Sequence, residues 1–451
     1  MKSLKSICLS LLVVAGVPAG ASGQPSATNI NPALLYYQAF LVAPDLSEAD
    51  HDYLWTKEWQ GQVLPERFGK IMAGYDNEFR LLRQAARSTV PCDWGIDMSE
   101  GPATLLPHLA RTKAVLLTAK FRALWALQHG RQADAREDLV AAFVLGRNVA
   151  RDGTLISTLV QRAMEMIDCF TVTELFGQFS TENMQQLLEG MEAAPARRTG
   201  ADCVPTERAF FQDWVLRRIQ ELQQANPGDD AKVMAGIHDL FASTLYLQKE
   251  TEDPQPGQTR MGGSAGSTSP VPTALPRMDS SQPGNWWERL TQAAGGTSAG
   301  MVKLTRDLDS FDQPLALALA LPHGEYESGM EQLKVEMQRS PNPLPSLLLP
   351  AWDRVRSKEL RALLSLAMVR AAVEYKLHGL AAMQSVVDPW GQGPFELQRF
   401  VFQGVDRGFE LKSACRVNGW QEVLIFVEKE GPPFYVGGSN AGQARPATYP
   451  K

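Results

Sequence analysis

Histidine is scarce in this chain of 451 residues: six occur, at positions 51, 108, 129, 238, 323 and 378. None falls into His-Glu-x-x-His or another two-histidine ligand spacing, so zinc has no support. Also missing are a Gly-x-Ser-x-Gly elbow, a Gly-x-x-x-x-Gly-Lys-Ser/Thr phosphate loop and a Gly-x-Gly-x-x-Gly turn after a strand. No cofactor is implied. The glycine-rich pieces "MGGSAGS" and "AAGGTSAG" fall in or near a low-complexity stretch and read as linker. Basic residues are not in excess, with 44 Lys and Arg against 50 Asp and Glu, which argues against a nucleic-acid partner. Beyond the first residues no run reaches about 18 apolar residues without a charge, so no transmembrane segment is expected in the mature chain.

The N-terminus carries Lys2 and Lys5, an apolar run from Ile7 to Val17, and small residues ending "AGASG". That is the layout of a secretory signal peptide over residues 1 to 23, with cleavage after Gly23 or Ala21. An exported address, periplasmic or secreted, follows. Four of the five cysteines remain after cleavage. An oxidising compartment permits them to pair in three ways, with Cys92 and Cys203 preferred because both lie near prolines in expected loops. Cys169 falls inside a helical pattern and reads as a small buried hydrophobe.

From "NPALLYYQAF" to about Lys249 the apolar spacing is helical. Leu106, Leu109, Leu116, Leu117, Phe121, Leu124 and Leu127 recur at three and four, and Gly130 closes that helix. Leu139, Ala142, Phe143 and Val149 mark a second, stopped by Gly153, and Leu155, Leu159, Ala163, Ile167 and Phe170 a third. Ser180 is placed to cap the next, and "PTERAFFQDWVLRRIQ" opens another at Pro205. Short glycine links force antiparallel neighbours, so residues 24 to 251 predict stacked helical hairpins. The stretch "AKFRALWALQHGRQADAREDLVAAFVLGR" resembles a tetratricopeptide unit, with no clean 34-residue period beyond it. The fold class expected is mainly α, with a small C-terminal antiparallel β-meander.

Residues 252 to 285 are rich in Pro, Gly and Ser and predict a disordered linker. Helical pattern resumes over 286 to 386, with breaks at Pro322 and "SPNPLPSLLLP". Then "FELQRFVF", "GFELKSAC" and "EVLIFVEK" alternate as strands over 387 to 431, Asn418 and Gly419 giving a tight hairpin turn before a polar tail at 432 to 451. At the entry to the strands Asp388, Pro389, Trp390 and Gly391 read as a structural corner. The carboxylate can close an Asx turn, proline fixes φ, glycine permits a tight path and tryptophan plugs helix against sheet.

The order "MVRAAVEYKLHG", "VDPWGQGPFELQR", "GFELKSA" resembles the C-terminal end of uncharacterised secreted helical proteins of planctomycete-type bacteria. "CDWG", "LLPHLARTKAVLLTAKFRALWALQHGRQADAREDL" and "LISTLVQRAM" look like that group's middle region. The "DPWG" corner is also similar to the C-terminal sheet of type II secretion major pseudopilins, whose calcium-binding loop acids have no aspartate counterpart in "SACRVNGWQEV". The resemblance implies a fold and an address and carries no activity.

Catalytic chemistry has one weak candidate, a polar cluster of Asp93, His108 and Glu207, which a hydrolase would need to gather in one cleft. Trp55, Trp59, Trp286 and Trp287 offer sugar stacking, though helix packing uses such residues more often. The expectation is an exported binding or scaffolding protein that contacts other envelope proteins or peptides. The alternatives are a hydrolase with a dispersed acid/base site and a pseudopilin-like assembly subunit.

Overall fold

The structure is a computed structural model, and it describes residues 29–56, 63–246, 286–390, 393–417, 420–429, 434–435 and 445–446. The expected signal peptide, the 252–285 linker and Asn418–Gly419 of the hairpin lie outside the described residues, as do Gly391 and most of the polar tail.

The N-terminal part runs α1 (Pro32–Val42), α2 (Glu48–Thr56), α3 (Glu66–Gly74), α4 (Asp76–Ala86), α5 (Pro107–Gln128), α6 (Gln132–Asn148), α7 (Leu155–Leu175) and α8 (Thr181–Glu192). Local chemistry sets the ends. Gly130 and Gly153 take positive φ of 70° and 79° after α5 and α6, a conformation that carries little cost only in glycine. Thr154 and Ser180 cap α7 and α8 by accepting from Ser157 N and Asn183 N. Helices α5, α6 and α7 pack on one another in sequence, as their short links require.

Next come α9 (Gly200–Glu207), α10 (Trp214–Ala225) and α11 (Asp230–Tyr246). The helix expected to open at Pro205 opens five residues earlier. Thr199 and Asp202 form a reciprocal capping box, and Pro205 lies inside α9. A π-helical stretch, Arg208–Asp213, follows directly.

After the undescribed stretch the chain continues as α12 (Trp286–Ala293), α13 (Ser298–Arg306), α14 (Asp309–Ala320), α15 (His323–Arg339), α16 (Leu344–His378) and α17 (Leu380–Ser385). The sheet is β1 (Glu396–Phe402), β2 (Val405–Val417) and β3 (Trp420–Val427), antiparallel in that order, with β4 (Phe434–Tyr435) and β5 (Arg445–Pro446) as a separate short pair.

Packing does not follow the segments drawn along the sequence. Helices α12 and α13 share a core with α10 and α11, through Phe211, Ile219, Ile237, Leu290 and Met301. Helices α14 to α16 join α9 in another, through Val204, Leu319, Met330 and Val355. The largest core runs from α1 through α8 into α16 and the sheet. The meander is therefore part of the main body: Phe176 after α7 meets Phe409 and Phe426 edge-on, at 5.6 and 5.2 Å between ring centroids. Lys376 of α16 donates to the carbonyls of Phe176 and Phe179, at 2.8 and 2.7 Å. Gly177 lets the sheet come this close, because a Cβ there would sit 2.3 Å from the Glu428 carbonyl oxygen.

Candidate functional site

Helix α7 carries the least expected feature of the molecule. Its apolar row was the natural inward face, yet Ala163 is exposed and Leu159, Ile167 and Phe170 are only half-buried. Ser157, Thr158, Gln161, Arg162, Glu165 and Asp168, one stripe at helical spacing, are instead 0–3 % exposed. A buried stripe of this kind must find its partners inside the protein.

At the N-terminal end of the stripe, Asp152 organises the turn into α7. It accepts from Thr154 N at 2.9 Å and from Ser157 Oγ at 2.5 Å. His108, on the first turn of α5, brings Nε2 to 3.4 Å from Asp152 Oδ2, and its ring stacks on Trp94 at 4.4 Å. Trp94 donates in turn to the Asn148 carbonyl at 2.8 Å. Glu207, at the end of α9, accepts from Leu155 N at 2.6 Å. Although that residue is partly exposed, its carboxyl end is turned inward, and burial pushes it up to about 7, with Asp152 adding to the shift.

Two members of the expected cluster thus meet around one turn, residues 152–155, and the third does not. Asp93 is exposed, next to Trp94, with Oδ1 accepting from Gly95 N. The seryl, imidazole and carboxyl groups also stand in the wrong order for nucleophilic catalysis. The Asp152 carboxylate lies between Ser157 and His108, so the imidazole does not face the hydroxyl it would have to deprotonate.

Two turns further along, Glu165 accepts hydrogen bonds from Gln161 Nε2 at 2.8 Å and from Arg197 Nη2, and forms ion pairs with Arg147 at 3.0 Å and Arg162 at 3.8 Å that lack hydrogen-bond geometry. Burial acts to raise its pKa, and the three guanidinium groups outweigh it, leaving the carboxyl below its ordinary value and ionised. Arg162 also donates to the Arg198 carbonyl and stands 3.9 Å from Glu359 of α16. Glu359 accepts from Gly200 N at 3.2 Å and pairs with Arg356 at 3.4 Å. The seam therefore ties α6, α7, the 193–199 connection, α9 and α16 together. Asp168, the last acid on the stripe, is pushed well above its ordinary value by burial and by Glu165.

The other sequence candidates resolve individually. Cys92 and Cys203 are free, buried thiols, which overturns the expected pairing. Each has its own surroundings: Cys203 contacts Thr158 Oγ1 at 3.0 Å and the Thr199 carbonyl, whereas Cys92 meets the backbone of Ala33 in α1. Burial pushes both up to about 12. Asp388 is buried and closes an Asx turn onto Trp390 N at 2.8 Å, while its other oxygen accepts from Ser413 Oγ at 2.6 Å and Ala414 N at 3.3 Å. Trp390, which follows Pro389, lies against His323 with ring centroids 3.5 Å apart. Trp286 and Trp287 pack against the core of α10–α13 and flank His238. The side chain of Trp55 and all of Trp59 lie outside the described residues.

Sequence reasoning missed the seam although a signal was present. Ser157, Gln161, Glu165 and Asp168 recur at i, i+4, i+8 and i+11, but a polar row at helical spacing reads as a solvated face. Among the described residues no group of histidine, cysteine and acid side chains is arranged to hold a metal, and no helix is long and apolar enough to cross a membrane. Compared with family models, curated proteins and solved structures, the chain matches none.

Proposed function

We propose that the protein is an exported binding or scaffolding module that contacts envelope proteins or peptides, its successive helical hairpins serving in the manner of tetratricopeptide units. The observation that carries this reading is at α1, where Leu34, Leu41 and Val42, with Ile30 just before the helix, turn apolar side chains outward, from 44 % to 84 % exposed. Exposed apolar side chains on the outer face of a helix fit a protein partner better than a small polar substrate. The buried seam supports the same reading, because it locks the underlying helices into one geometry against which a partner can dock at small entropic cost. The export address and the kinship to secreted bacterial proteins belong to this proposal.

The hydrolase reading keeps one observation in its favour, the Glu207 carboxyl held near neutrality beside Asp152. A pseudopilin-like subunit would need a membrane-embedded N-terminus.

The test is capture from envelope extract with residues 24–451, comparing the native sequence with a Leu34→Glu, Leu41→Glu double variant. A partner retained by the native chain and lost by the variant is expected. An empty capture, or one indifferent to the two glutamates, rejects the proposal. Hydrolytic turnover abolished by Glu207→Gln in the same preparations would establish the enzyme instead.

A further inference from the structure

The charges of the seam do not balance. Among the described residues, Arg147, Arg162, Arg197 and Arg356 pair only with Glu165 and Glu359, four guanidinium groups against two carboxylates. Asp168 forms no ion pair with these arginines among the described residues, and burial together with Glu165 raises its pKa well above the ordinary value. Hydrogen bonding is incomplete in the same place. Arg162 is wholly buried, and its Nε and Nη1 have no hydrogen-bond partner among the described residues; Arg197 Nε and Arg356 Nε are likewise unmatched there. An arginine stripped of water and left with free N–H groups is among the costliest arrangements in a protein interior.

We propose that the seam beneath the 193–199 connection is a binding site for one tetrahedral dianion, phosphate or sulfate, held by the unmatched guanidinium N–H groups around Arg162 and Arg197. Two surplus positive charges match a dianion, and planar guanidinium forks suit its tetrahedral oxygens. Ion pairs of Arg162 and Arg197 with Glu165, and of Arg162 with Glu359, hold the guanidinium groups in place before the anion arrives. The site is separate from the α1 surface and does not depend on the partner-binding reading.

The test is equilibrium dialysis of the full chain, at fixed ionic strength in chloride buffer, against radiolabelled inorganic phosphate and, separately, sulfate. One equivalent bound per chain is expected, with a melting temperature that rises saturably with the same anion. Arg162→Met should weaken binding between about tenfold and about a hundredfold, the loss of a hydrogen bond to a charged group. Should that variant fail to fold, Arg197→Gln gives the same reading from the rim of the seam. Which of the two labels binds more tightly identifies the anion. No retained label with the native chain overturns the proposal. So does binding that is unchanged in both variants, or a melting temperature that responds to chloride as strongly as to the dianions.

Discussion

Replacing Glu207 by glutamine should change the pH dependence of stability in a way that can be worked out in advance. Glu207, at the end of α9, accepts from the turn into α7 and has its carboxyl pushed from the ordinary 4.5 up to about 7. Between those values the folded protein keeps a proton that the unfolded chain has released, so stability falls as pH rises through the window. Above about 7 the full penalty applies. The separation is about 2.5 units, worth about 1.4 kcal/mol per unit, which places the ceiling at about 3.5 kcal/mol. Relaxation and solvent screening of the partly exposed residue will reduce the observed figure to about half of that. Glutamine keeps an oxygen for Leu155 N and carries no charge at any pH, so the variant should lose this term. At pH 5 it should match the native protein or fall slightly below it, and at pH 8 it should be more stable by about 1 to 3 kcal/mol. Urea unfolding of both proteins at half-unit steps from pH 4.5 to 8.5 measures the difference directly. Parallel stability curves across that range would refute the placement of the Glu207 carboxyl against a desolvated turn.

Other expectations follow from single contacts. Gly177→Ala forces a methyl into the Glu428 carbonyl and should cost about 1 to 3 kcal/mol by lifting β3 from the end of α7, read by thermal unfolding. Asp388→Ala leaves Ser413 Oγ and two backbone N–H groups without their acceptor and should cost about 3 kcal/mol, with the Trp390 fluorescence moving toward that of exposed indole. Cys92 and Cys203, both buried and raised, should resist a thiol reagent in the folded protein and react after unfolding; a linked Cys92–Cys203 peptide in a non-reducing digest would contradict the structure.

Elements written in nearest-neighbour chemistry were legible in the sequence. The capping role of Ser180, the glycine stops at Gly130 and Gly153, the three strand segments and the Asx turn at Asp388 each depend on residues within a few positions of one another. The capping box at Thr199 and Asp202 had the same local character, but the proline at 205 drew attention to the wrong start. The mainly helical character followed from periodicity alone.

The candidate site was legible only in fragments, because the gathering of His108 and Glu207 around residues 152–155 depends on α5 and α9 reaching the same turn from positions about forty and fifty residues away. The sequence by itself determined which stretches coil, where they stop, and that the last strands pair in a meander. Tertiary structure alone decided that α16 and the sheet complete the N-terminal core, that Cys92 and Cys203 stay apart, and that the polar face of α7 points inward. A helix records both of its faces in its own residues, but not which of them will meet another helix. When Arg147 of α6, Arg197 of the 193–199 connection and Glu359 of α16 supply the partners, a row of Ser157, Gln161, Arg162 and Glu165 becomes an interior.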